Sequence, residues 1–208
     1  PCAGPATMTH NALLAGGLLI LIVLVLAHLP PAEILRPSRR TQVLTGVVGG
    51  VVSLAVMLVL RFNAPELGVL AYPTATAFMA LCIGPLSAAI TAALALVGAL
   101  WSDPQAGLAV GGVLAGAAAL GALWRALDAR QTLNPWLGTV GLALTLPLLV
   151  TWLLMAAGAM PVPSAAQEWL QQFPWYHGVG ILILGTGRQL LVNKAESVLR
   201  LQALNETL

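Results

Sequence analysis

The chain has 208 residues, of which 59% are hydrophobic and only 8% are charged. Soluble domains carry about 25% charged residues, so this composition excludes an ordinary water-exposed surface and predicts an integral membrane protein. The formal net charge of +2 excludes a nucleic-acid-binding protein, and the two cysteines lack the C-x-x-C spacing of a metal or redox site.

The N-terminal tail, residues 1–10, is polar. Met8 is typical of a native start, so residues 1–7 could be left over from an expression vector. The apolar run that follows, residues 11–29, has neither the basic flank nor the small-residue cleavage site of a signal peptide. We therefore expect this run to stay in the membrane as a helix.

Apolar runs follow one another through the chain, bounded by charged residues or proline clusters. Because a spanning helix needs about 20 apolar residues, they predict an all-α fold. This fold is a polytopic transmembrane helical bundle of about 6–7 spans over residues 11–193. The predicted segments are 11–29, 42–60, 67–83, 85–101, 107–124, 137–158 and 176–193.

Two regions of this bundle need comment. Segments 67–83 and 85–101 are short and are separated only by Gly84-Pro85, so they either cross the membrane twice or form a re-entrant hairpin inside the bundle. The polar stretch 159–175 is expected to be a long outer loop.

The distribution of basic residues predicts the orientation. With the N-terminus outside, one basic residue, Arg61, lies on the outer side and eight lie on the inner side, as the positive-inside rule requires. The inner residues are Arg36, Arg39, Arg40, Arg125, Arg130, Arg188, Lys194 and Arg200.

Glycines within the predicted spans recur at small-xxx-small spacing. The pairs are Gly46 with Gly50, Gly107 with Gly111, and Gly112 with Gly116. Because such spacing lets helix backbones approach closely, we expect a compact bundle.

Polar groups gather at the outer ends of the spans and form the candidate ligand-binding site, since polar residues at membrane depth are costly. In the alternative interpretation, the charged members only mark loop ends in water and the tryptophan anchors the interface. The candidate residues are Arg61, Asn63, Glu66, Tyr72, Thr74, Thr76, Trp101, Asp103 and His177.

The last segment, residues 194–208, alternates charged and apolar residues without Gly or Pro. Leu201, Leu204 and Leu208 have the spacing of a coiled-coil seam, so we predict a cytoplasmic signalling helix, with a juxtamembrane amphipathic helix as the alternative. The pattern continues to the last residue, which predicts a following output domain. Arg188 and Gln189 just before it are candidates for signal transmission, although Arg188 could simply snorkel to the headgroups.

Residues 45–125 resemble the five-transmembrane LytS/YhcK-type sensor domain (5TM-5TMR_LYT). The matching features are Gly46–Gly50, Pro65 with Gly68, the Gly84-Pro85 junction, and the Gly-rich helix after residue 107. The resemblance implies a sensor in the bacterial inner membrane, attached to a histidine kinase or a diguanylate cyclase. Tyr72-Pro73-Thr74 replaces the family's usual Asp-x-Arg, which favours a neutral or aromatic ligand over an anion.

We therefore predict a membrane sensor module that binds an unidentified small-molecule or lipid-like ligand from the outer side and is a homodimer in the full-length protein. No catalytic pattern occurs, and neither enzyme activity nor a cofactor nor a metal is expected within these residues. Two alternatives stay open: a substrate-binding membrane subunit of a small-molecule transporter, similar to those of energy-coupling-factor transporters, and a structural membrane protein without a ligand.

Overall fold

The computed structural model describes residues 17, 20–63, 71–102, 107–129, 135–156 and 163–206. Within these ranges all regular structure is helical, in eight helices. They are α1 (residues 20–27), α2 (Pro31–Leu35), α3 (Arg39–Asn63), α4 (Ala71–Cys82), α5 (Pro85–Ser102), α6 (Gly107–Ala129), α7 (Pro135–Ala156) and α8 (Pro163–Glu206).

The all-α prediction is confirmed for the described ranges, and the helices follow the predicted apolar runs closely. The prediction of an outer loop was wrong for residues 163–175, which form the first turns of α8. Its Gln and Glu residues were interpreted as loop residues, but Pro163 occupies the first helical position, where proline is favoured, and the apolar residues after it recur at helical spacing.

In the described part of the chain, three helices contain segments long and apolar enough to cross a membrane: Arg39–Leu58, Ala109–Leu127 and Leu137–Ala156. Their outer surfaces are apolar as well. On α7, Leu144, Leu148 and Trp152 are 64–71% exposed, at a spacing that places them on one side of the helix. An exposed apolar stripe of this kind is suited to lipid and would be a liability in water.

Helix α4 lies at the centre of the bundle, where it contacts α3, α5, α6, α7 and α8. All side chains of residues 73–83 are buried. Its 12 residues are about 18 Å long, less than the bilayer's hydrocarbon core of about 30 Å. Residues 67–70, the start of the predicted segment, lie outside the described ranges.

Close approach between α3 and α5 depends on glycine. A Cβ added at Gly46 would lie 2.8 Å from the Ser87 carbonyl oxygen and 2.9 Å from the Ile90 Cβ. The α3–α5 interface also contains hydroxyl groups: Thr91 Oγ1 donates to the Gly46 carbonyl at 3.1 Å, and Thr45 Oγ1 lies 3.2 Å from Ser87 Oγ. The predicted role of Gly46 and Gly50 is thus confirmed, whereas Gly112 has no atom within 4 Å of an added Cβ.

Gly84 turns the chain from α4 into α5. Its φ of +140° is in the region that L side chains rarely adopt. The Gly84 N–H donates to the Met79 carbonyl at 3.0 Å, and the Gly84 carbonyl accepts from the Ala88 N–H at 3.1 Å. One residue therefore ends α4 and begins α5 inside the bundle, with its backbone groups satisfied.

Candidate functional site

The structure describes three side chains of the predicted ligand-binding set. Thr74 and Thr76, on α4, are 3% and 0% exposed, whereas Trp101, at the end of α5, is 87% exposed. The two threonines therefore face the bundle interior, and Trp101 faces outward. The other predicted side chains, those of Arg61, Asn63, Glu66, Tyr72, Asp103 and His177, lie outside the described residues.

Thr76 is unusual among the buried hydroxyl groups. Its Oγ1 is buried and has no hydrogen-bond partner among the described residues. By contrast, Ser53 Oγ donates to the Gly49 carbonyl at 2.8 Å, as is normal for a hydroxyl in an apolar helix. A buried, unpartnered hydroxyl costs about 1–3 kcal/mol, so Thr76 is a group that could gain a hydrogen bond if α4 moved or a polar molecule reached it.

The C-terminal end of α4 marks the basic end of the bundle. Arg125 of α6 donates from Nη1 to the Leu81 carbonyl at 3.3 Å. A guanidinium at this place satisfies a carbonyl that the helix leaves free and complements the negative end of the helix dipole. The predicted inner-side residues Arg125 and Arg188 thus both lie beside this end of α4.

A groove lies at the basic end between α8, the end of α4, and the first two helices; we call it the α8 groove. Its cavity volume is about 20 Å³, room for about one water molecule, and its sides are open. Among the described residues, its walls are apolar except for one arginine. The lining residues are Leu26, Leu29, Ile34, Cys82, Ile83, Arg188, Leu191 and Val192.

We call residues 33–40, which include Ile34 of the groove wall and join α2 to α3, the rim of the groove. None of the α2 side chains is buried, so local hydrogen bonds position this segment. The Ser38 N–H donates to Glu33 Oε2 at 2.7 Å, and Ser38 Oγ donates to Thr41 Oγ1 at 3.1 Å. The bond from the Ser38 N–H, assisted by the Thr41 hydroxyl, holds the pKa of the Glu33 carboxyl below its usual range.

Helix α8 forms the remaining wall and then leaves the bundle. Arg188 and Gln189, both predicted for signal transmission, are half-buried. Ala195 is 1% exposed, whereas every residue of 200–206 is exposed. The predicted seam residues Leu201 and Leu204 are therefore on the exposed part of the helix, and Leu208 lies outside the described ranges.

Some residues of the basic end were missed from the sequence. Arg125 was interpreted only as a topology determinant, and the α8 groove was not predicted, because both depend on which helices are neighbours. The short helix α2 was also missed, although Pro30-Pro31 before it is a helix-start signal. Among the described residues, no group of three or more His, Cys, Asp or Glu side chains is placed to hold a metal.

Comparison of the chain with protein-family models, with curated proteins and with solved structures finds no match. The resemblance to the LytS/YhcK-type sensor domain therefore stays a prediction.

Proposed function

We propose that this chain is the membrane-embedded sensor module of a bacterial signal-transduction protein, a histidine kinase or a cyclic-di-GMP enzyme. Helix α8, Pro163–Glu206, is the observation that supports this function. Its 44 residues make it about 66 Å long, roughly twice the thickness of a bilayer's hydrocarbon core. In this proposal its apolar part, residues 176–193, crosses the membrane and the rest of the helix continues beyond it.

The packing of α8 supports a coupling between the centre of the bundle and the free end of the helix. Ile181 and Leu184 belong to the same buried core as α4. Further along, α8 contacts α2, and Ala195 is buried. A displacement of α4 would therefore shift α8, and the helix would deliver that shift to residues 201–206 as a nearly rigid rod.

In this proposal α4 receives the signal. A ligand reaches it from the outer side, near Tyr72, and changes the surroundings of the Thr74 and Thr76 hydroxyl groups. The bundle crosses the membrane with its N-terminus outside and its basic end in the cytoplasm. Two copies pair through Leu201, Leu204 and Leu208, so the shift of each α8 alters the geometry of a dimeric output domain.

The test attaches the dimeric catalytic domain of a diguanylate cyclase after residue 208 and measures cyclic-di-GMP in cells. Thr74→Val and Thr76→Val keep the side-chain volume and remove a buried hydroxyl. Thr186→Val is the matched control, because Thr186 is exposed and its hydroxyl donates only to the Leu182 carbonyl of its own helix. We expect a severalfold change in output from at least one α4 variant and none from the control.

A second arm tests the route of transmission. Two glycines inserted after Arg200 interrupt α8 beyond its buried contacts, so the bundle keeps its packing while the rod loses continuity. With this insertion, we expect the α4 variants and the unsubstituted protein to give equal output. If all variants without the insertion produced equal amounts of cyclic-di-GMP, the sensor proposal would be contradicted, because changes in α4 would then not affect the output domain.

A further inference from the structure

The α8 groove has the chemistry of a lipid site. Its walls are formed by aliphatic side chains, among them Leu26 of α1, Leu29 just after α1, and Leu191 of α8, and Arg188 is the charged residue among the described lining residues. The open sides suit an acyl chain that lies along the surface of the bundle.

The charges on the rim of the groove, residues 33–40, are mostly positive. Ile34 of α2 lines the groove, and Arg36, Arg39 and Arg40 follow within six residues, all with exposed side chains. The nearest acidic residue in this segment, Glu33, accepts a hydrogen bond from the Ser38 N–H. His28, at the end of α1, is exposed and its Nδ1 donates to the Leu24 carbonyl at 2.8 Å. The arginines therefore outnumber the carboxylate on the rim of the groove.

We infer that the α8 groove binds a phospholipid with an anionic headgroup. The phosphate pairs with the Arg188 guanidinium, the rim arginines add attraction for the headgroup charge, and an acyl chain lies against Leu26, Leu29 and Leu191. Clusters of arginines beside membrane helices bind anionic headgroups in this way, and each basic residue near the membrane surface contributes about 1 kcal/mol. The inference depends on a membrane location and is independent of the proposed sensor function.

The position of Arg188 gives the bound lipid a structural effect. The residue lies on α8 opposite Cys82 and Ile83, where α4 ends. A lipid in the groove would fill the space between these helices and the α1–α2 pair. We therefore expect an anionic lipid to raise the stability of the protein as well as to bind.

The experiment uses the full chain, delipidated in detergent, and native mass spectrometry with three probes. These are phosphatidylglycerol, phosphatidylcholine with the same acyl chains, and inorganic phosphate. We expect the unsubstituted protein to retain phosphatidylglycerol about fivefold or more over phosphatidylcholine. Phosphate at millimolar concentration should not displace it, because phosphate lacks the chain that contacts the apolar wall.

Variants locate the site. Arg188→Gln should abolish most of the preference for phosphatidylglycerol over phosphatidylcholine. Arg188→Lys should keep most of this preference because the positive charge remains. Arg200→Gln is the matched control, since Arg200 lies on the same helix with an 81% exposed side chain beside Glu196. Ile34→Glu, on a half-buried wall position, provides a second test that leaves Arg188 in place and places a negative charge beside the headgroup.

Three results would overturn the inference: equal retention of both lipids by the unsubstituted protein, an unchanged preference in both Arg188→Gln and Ile34→Glu, or displacement of the lipid by phosphate. A melting temperature measured with each lipid accompanies every variant. Phosphatidylglycerol should raise the melting temperature of the unsubstituted protein and of Arg200→Gln, and it should not raise that of Arg188→Gln.

Discussion

The α3–α5 interface and the α8 groove show two different ways of packing helices in one bundle. At the α3–α5 interface, glycines bring the backbones together, and the Thr91 hydroxyl donates to a carbonyl of the facing helix. In the α8 groove, aliphatic side chains and one arginine surround open space. The first region has no room for another molecule, and the second has a surface that another molecule can cover.

This difference indicates a division between scaffold and moving parts. Backbone contacts without intervening side chains have few alternative arrangements, so α3 and α5 should stay together whatever the rest of the bundle does. Contacts through Leu and Arg side chains can be exchanged for contacts with lipid. A shift of α8 therefore costs less free energy than a shift of α5. The following experiments compare the α3–α5 interface with other parts of the bundle.

The largest effect is expected from Gly46→Leu. Its added atoms would overlap the Ser87 carbonyl, which belongs to the backbone of α5 and cannot rotate away. We expect the free energy of unfolding to fall by about 3 kcal/mol, measured by denaturant titration in detergent. Gly112→Leu is the matched control, because an added Cβ there meets no atom within 4 Å. If the free energy of unfolding fell equally in both variants, the close contact at Gly46 would not be the cause of the loss.

A smaller effect is expected from removing single hydroxyl groups. Thr91→Val breaks the bond to the Gly46 carbonyl and should lower the free energy of unfolding by about 1 kcal/mol. Thr76→Val, at an equally buried position, removes a hydroxyl without a partner and should leave the stability unchanged or slightly raise it. The same titration compares the two variants, and a larger loss from Thr76→Val would mean that its hydroxyl is bonded in the membrane.

The smallest effect is expected from acidification, which acts on the rim of the groove. Because the pKa of Glu33 is lowered in the folded protein, its carboxylate stabilises the α2–α3 connection above the carboxyl's usual pKa, and this contribution is lost as pH falls through the lowered value. We expect acidification to reduce hydrogen-exchange protection of the Ser38 amide, relative to its intrinsic rate, without affecting α3–α5. Glu33→Gln should show the reduced protection already at neutral pH, and a pH-independent Ser38 amide would contradict this explanation.

Much of the architecture could be predicted from the sequence because apolar runs near membrane length are a strong signal. The start of α5 at Pro85 was predicted, since Gly84-Pro85 marks a break in any helix. The polar first turns of α8 were not, because Gln and Glu residues do not distinguish a loop from a helix outside the apolar core. Of the candidate site, Thr74 and Thr76 were proposed from their residue type and stay a prediction. Their burial could not be predicted, since it depends on the helices around α4.

The sequence also did not indicate which helices are neighbours in the bundle. The spacing of Gly46 and Gly50 predicted a close helix contact without saying that α5 is the neighbour. Likewise, Arg125 and Leu81 are 44 positions apart, and no local pattern indicates that a guanidinium meets the end of α4. Such pairings are set by the order in which the helices pack, which single-sequence patterns do not contain.

The burial of α4 also has a consequence for biosynthesis. Its neighbours α6, α7 and α8 follow it in the chain, and α8 ends about 120 residues after α4 does. At roughly 5–20 residues per second, the ribosome needs about 6 to 25 seconds to complete that distance. During this interval α5, α6, α7 and α8 become available one after another, so until they pack the buried face of α4 must be sheltered by lipid or by the insertion machinery. The centre of this protein is therefore assembled last, although it is synthesised early.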